Sequence, residues 1–110
     1  MSQIAIKPWG SETLEFVGPY VVKKIYMRKG ERCSLQRHLY KTETISVVFG
    51  PLTVTINGVD EDYVAGESVT IPAKVPHRMT AKYCDCTYIE CSTPHLDDVI
   101  RLEDDYGRIS

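Results

Sequence analysis

A chain of 110 residues with 13 Lys and Arg against 15 Asp and Glu carries a formal net charge of −2, and 43% of it is hydrophobic. That length supports one domain over residues 1–110 with one core, and the near-balanced charge excludes both a disordered chain and a broad nucleic-acid footprint. Nowhere do eighteen apolar residues run together and Met1 to Gly10 has no export-signal pattern, so no membrane partner and a cytoplasmic location are expected.

In chain order, Lys7-Pro8-Trp9-Gly10 opens the pattern, with Pro8 fixing φ and Trp9 placed to cover one end of the fold. Runs rich in Val, Ile, Thr and Tyr then predict strands over Tyr20 to Met27, Thr44 to Phe49, Leu52 to Ile56, Ser68 to Ile71, His77 to Ala81 and Thr87 to Cys91. Lys29-Gly30, Gly50-Pro51, Asn57-Gly58 and Ala65-Gly66 punctuate them, and Asn57-Gly58 between Leu52, Val54, Ile56 and Val59 is a hairpin signal. Many short antiparallel strands predict an all-β sandwich or barrel. The acidic segment from Leu96 to Tyr106 reads as a short helix or an extended arm docked on it, with a solvated surface and Arg108 as counterion.

Cys33, Cys84, Cys86 and Cys91 are expected to stay reduced in the absence of an export signal. Cys84 and Cys86 are separated by one residue rather than two to four, and a fourth ligand is missing, so a thiolate metal cluster is disfavoured.

The oxygen and nitrogen donors follow a different pattern. Gly30, five residues, Gln36-x-His38, four residues, Glu43, six residues and Gly50 are followed by Gly66, five residues, Pro72 and then Pro76-His77. Gln36 and His38, two apart, share a face on a strand, and adjacent strands can return Glu43 and His77 to it. An amide, a carboxylate and two imidazoles suit a divalent metal of the zinc, manganese, iron or nickel group, with zinc the first expectation. As a neutral amide, Gln36 has the alternative of hydrogen bonding only, which leaves three ligands.

These spacings resemble the two cupin motifs, which implies a double-stranded β-helix, or jelly-roll barrel, with a metal inside. Lys7 to Gly10, Ser34 to His38, Ile71 to Ala73, Pro76 to Arg78 and Leu96 to Arg108 further resemble the cupin domain of type II phosphomannose isomerases. The resemblance implies a mannose-6-phosphate isomerase-like enzyme converting mannose 6-phosphate to fructose 6-phosphate, a sugar-phosphate ligand and a homodimer. The alternatives are a cupin acting on another sugar or nucleotide-sugar in polysaccharide synthesis, and a non-catalytic metal-binding sugar sensor. No glycine-rich nucleotide loop precedes Lys7, so guanylyl transfer by these residues is not expected. Leu39, Tyr40, Lys41, Thr44 and Ile45 depart from the family's histidine-rich stretch, and Lys74 replaces its usual glycine.

If the strand through Arg32, Ser34, Gln36, His38 and Tyr40 is continuous, all five share one face, which makes Arg32 the first expectation for a phosphate-binding residue. Lys24 and Arg108 stand behind it. Tyr40 and Lys24 are the candidates for a catalytic group, and Arg78 is expected to face away from His77.

Overall fold

Alternation decides which side of each strand is buried. In Glu43–Phe49, Glu43, Ile45 and Val47 are buried while Thr44 and Ser46 point outward, where their hydroxyls meet those of Thr70 and Ser68 at 2.8 Å. Leu52–Ile56 buries Leu52 and Val54 inside, and Cys86–Ser92 buries Cys86, Tyr88, Glu90 and Ser92. Sealing each large apolar side chain contributes roughly 1.5–3 kcal/mol.

The computed structural model describes residues 3–109, which form eleven strands and no helix. They are β1 (Gln3–Lys7), β2 (Gly10–Val17), β3 (Val21–Met27), β4 (Leu35–Arg37), β5 (Glu43–Phe49), β6 (Leu52–Ile56), β7 (Val59–Tyr63), β8 (Ser68–Ile71), β9 (His77–Thr80), β10 (Cys86–Ser92) and β11 (Ile100–Glu103). They build two antiparallel sheets, β1-β2-β3-β10-β5-β8 and β11-β4-β9-β6-β7. The core lies between them around Trp9, Met27, Ile45, Leu52, Met79 and Tyr88. No helix is long and apolar enough to cross a membrane.

The predicted hairpin forms at Asn57-Gly58, with Ile56 opposite Val59 and both turn residues at positive φ, as a two-residue hairpin turn of type I′ requires. The acidic segment resolves as an extended arm. Its strand β11 pairs with β4, so Asp98 and Arg101 are committed to the barrel rather than to solvent. Gly10 explains the end of the opening motif, because a Cβ there would be driven into the carbonyl oxygen of Tyr26 on β3.

Candidate metal centre

Three side chains converge at one end of the barrel. His38 follows β4, Glu43 opens β5 and His77 opens β9, and all three are buried. Their ligand atoms lie within 4.8 Å of one another. Nε2 of His77 is 2.7 Å and Nε2 of His38 is 3.5 Å from Oε1 of Glu43.

Backbone carbonyls set the imidazole tautomers. Nδ1 of His77 meets the carbonyl of Val75 at 2.9 Å and Nδ1 of His38 meets that of Asp98. Each Nδ1 therefore carries the proton in the neutral ring, which leaves a bare lone pair on each Nε2. Both Nε2 atoms and both Glu43 oxygens are buried without a partner in hydrogen-bonding geometry. Two lone pairs and a carboxylate aimed at one point are the donor set of a divalent cation, so these residues fit a metal.

Electrostatics inside the barrel favour an ionised Glu43. Burial pushes its carboxyl up, but the imidazoles of His38 and His77, in the form that carries a proton on Nε2, and the Lys41 ammonium pull it well below the usual carboxylate range. Lys41 is itself buried, with Nζ 3.6 Å from Glu43 Oε2 and 3.5 Å from Glu90 Oε2. Burial and the Glu43 charge raise Glu90 to about 7, so its carboxyl holds a proton into the neutral range.

Gln36 lies directly opposite His77 on β9, and Arg101 lies opposite Gln36 on β11, which puts all three on the inner face. Gln36 also lines a cavity of about 70 Å³, whose other walls include Lys7, Trp9, Glu90, Arg101 and Arg108 but none of the three triad residues. Oε1 of Gln36 accepts the hydroxyl of Ser34 at 3.0 Å. Nε of Arg101 is buried without a partner, whereas Arg108 is held in two bonds of 2.9 Å by Asp104. A larger groove, about 620 Å³, lies on the outer face of the second sheet, away from the triad.

The other candidates lie elsewhere. The strand through Arg32 is interrupted at Cys33 and Ser34, both buried, so the side-chain parity inverts there. Arg32 bridges to Thr80, binds Asp105 at 2.6 and 2.9 Å and lines the outer groove. Lys24 is exposed on the outer face of β3, whose inner face carries Val21, Lys23, Ile25 and Met27. Tyr40 is 69% exposed with its ring 6.0 Å from that of His95. Arg78 faces outward as expected, bonded to Glu103 at 3.0 Å. Arg101 and Asp98 are the residues that composition concealed. Alternation along β11 is the signal for Arg101, and nothing local marks Asp98.

Two packed antiparallel sheets with a histidine–glutamate–histidine cluster at one mouth define a cupin. Solved structures agree: KdgF from Halomonas sp. superimposes with a TM-score of 0.78 at 18% identity over 88% of each chain. An RmlC-like cupin from Shewanella frigidimarina gives 0.79 at 22% identity over 88% of this chain and 87% of that one. The Mannose-6-phosphate isomerase C-terminal family model matches residues 1–104, and the chain belongs to that family.

Its relatives are enzymes about four times its length. A mannose-1-phosphate guanylyltransferase of Salmonella montevideo is 35% identical over 107 residues, 93% of this chain and 23% of the relative. The alginate biosynthesis protein AlgA of Pseudomonas aeruginosa is 34% identical over 107 residues, 93% of this chain and 22% of that protein. The chain thus spans about a quarter of the length of these relatives. They overturn the first functional expectation, conversion of mannose 6-phosphate to fructose 6-phosphate. Their names are those of a guanylyltransferase and of polysaccharide biosynthesis proteins, which fit the alternative of polysaccharide synthesis better. Of the side chains assigned to that isomerisation, Arg32, Lys24 and Tyr40 lie off the cavity, whereas Arg108 lines it.

Proposed function

We propose that this cupin acts on a sugar or nucleotide-sugar in polysaccharide synthesis, as an isomerase or epimerase, with a divalent metal held by His38, Glu43 and His77. The observation that carries the reading is the pair of bare Nε2 atoms facing Glu43, together with a cavity walled by Gln36, Arg101 and Arg108. Zinc is the first choice of metal for two imidazoles and a carboxylate, with manganese, iron and nickel next. When bound, such a cation supplies Lewis-acid polarisation of a substrate oxygen.

The protein's own groups have separate tasks. Arg101 and Arg108 bind the anionic part of the ligand through charge-assisted hydrogen bonds, and the free Nε of Arg101 makes it the stronger partner. Gln36 orients a hydroxyl or completes the ligand set from the inner face of β4. Glu90, on the cavity wall, holds a proton near neutral pH and exchanges it with a substrate carbon or oxygen. Trp9 closes one side against water. The protein works in the cytoplasm as a homodimer in this reading, and the outer face of the first sheet, where Ile4 and Ile6 are exposed, is the pairing surface.

The test is proton exchange in D₂O. Protein loaded with zinc, manganese, iron or nickel in turn is incubated with hexose phosphates and nucleoside diphosphate hexoses, and carbon-bound deuterium is read by NMR. Exchange in one sugar, abolished in His77→Ala, is the expected result. Absence of exchange and turnover with every metal overturns the catalytic reading, and ligand binding without exchange supports the sensor instead.

A further inference from the structure

The buried ammonium of Lys41 stands between two carboxylates of different fate. Oε1 of Glu43 faces the two imidazoles, while Oε2 turns to Lys41 Nζ at 3.6 Å. The same Nζ holds Oε2 of Glu90 at 3.5 Å. Among the described residues, Lys41 supplies the one Lys or Arg within ion-pair distance of Glu43. Its backbone is fixed as well, since its N–H donates to the Asp98 carboxylate at 2.9 Å.

Resting on the metal reading above, we infer that Lys41 is a positioning residue that restricts Glu43 to one-oxygen ligation and keeps Glu90 out of the metal's coordination sphere, as a wall of the substrate cavity. A buried divalent cation attracts every carboxylate within reach. Here two stand beside it, and without the ammonium the cation would draw in Glu43 Oε2 or Glu90 as an extra oxygen donor. With the ammonium, Glu43 is shared between metal and lysine and Glu90 stays with the lysine. With Glu43 as a carboxylate, Lys41 as an ammonium and the proton kept on Glu90, the group is neutral, and a divalent cation turns it into two net positive charges. The ammonium thus weakens metal binding and leaves coordination positions open for a substrate oxygen.

Cobalt(II) reports this directly, because its visible absorption weakens as coordination number rises. Wild type, Lys41→Arg, Lys41→Met, Glu90→Gln and the double variant Lys41→Met/Glu90→Gln are titrated with cobalt(II) and their spectra compared. Lys41→Met is expected to bind at least about tenfold more tightly with a weaker visible band. Lys41→Arg and Glu90→Gln keep the wild-type spectrum, and the double variant returns toward it. An unchanged spectrum and affinity in Lys41→Met overturn the assignment. If Lys41→Met does not fold, Glu90→Gln decides, because a changed spectrum there places Glu90 on the metal and overturns the assignment, and an unchanged one supports it. Wild type that takes up no cobalt overturns the metal reading itself, which is a different outcome from cobalt bound with indifferent spectra.

Discussion

Asp98 holds His38 from two sides: its backbone carbonyl meets the imidazole Nδ1, and its carboxylate accepts the N–H groups of Leu39, Tyr40 and Lys41 at 2.8, 2.7 and 2.9 Å. One residue from the arm thereby fixes both the ring and the loop that follows it. Asp98→Ala removes the carboxylate and keeps the carbonyl, so the loop slackens while the ring retains its acceptor. Zinc affinity is expected to fall about tenfold, the lower end for a lost supporting partner, and the melting temperature to drop. Competitive zinc titration and calorimetry check both, and Asp98→Asn should fall between.

Metal removal separates a three-ligand from a four-ligand site. In wild type, zinc at about a hundred times its Kd should add about 2.7 kcal/mol of stability. His77→Ala is expected to abolish that gain, and Gln36→Ala to keep part of it, because Gln36 is already bonded to Ser34. Metal content by mass spectrometry after dialysis gives the same ordering. Complete loss in Gln36→Ala would make the amide a ligand in full.

Arg101 and Arg32 offer a contrast between two guanidinium groups. Arg101→Gln should weaken phosphate or sugar-phosphate binding at least tenfold, since it removes a buried, uncommitted donor from the cavity wall. Arg32→Gln should leave that affinity within a factor of two, because its partners are Asp105 and Glu103 on the outer face. Isothermal titration with inorganic phosphate measures both.

Lys74 carries backbone strain. Its φ is 74°, in the left-handed region that disfavours a side chain, while its N–H donates to the His38 carbonyl at 2.6 Å. Lys74→Gly is expected to raise stability by about 1 kcal/mol without moving zinc affinity. A stability loss would show that the lysine side chain has a partner worth more than the strain.

Asp104 sets part of the acid limb. The Arg108 guanidinium holds its carboxyl down at about 2, below the ordinary value near 4. A depressed folded-state value means the stabilisation is present above about pH 4 and is lost as pH falls toward about 2. Asp104→Asn should flatten stability over that window, read from urea midpoints at several pH values. Unchanged acid sensitivity would assign the limb to other carboxyls.

Legibility followed local chemistry. Strands rich in Val, Ile and Thr, the Asn57-Gly58 hairpin and the donor spacing all announce themselves, and each lies within a few residues of its stated position. β7, with Asp60, Glu61 and Asp62, hid because an edge strand exposed on most positions needs no apolar pattern. β1 and β2 went unread for want of a Val, Ile and Thr run, although Gly10 marks their junction. Arg32 was misplaced because parity survives only along unbroken strands, and Cys33 and Ser34 both turn inward. Asp98 was unreadable because its partners are main-chain amides 57 to 59 residues away, which side-chain identity does not record.

Glu43 belongs to the six-stranded sheet, while His77 belongs to the five-stranded one and His38 leaves it. A cation gripping all three would be a rivet through the mouth of the barrel, fastening one layer to the other, since among the described residues no strand of one sheet pairs with a strand of the other. Metal supply in the cell would then set how long the two layers stay closed, and starvation for the ion would cost the protein its shape at that end along with its chemistry.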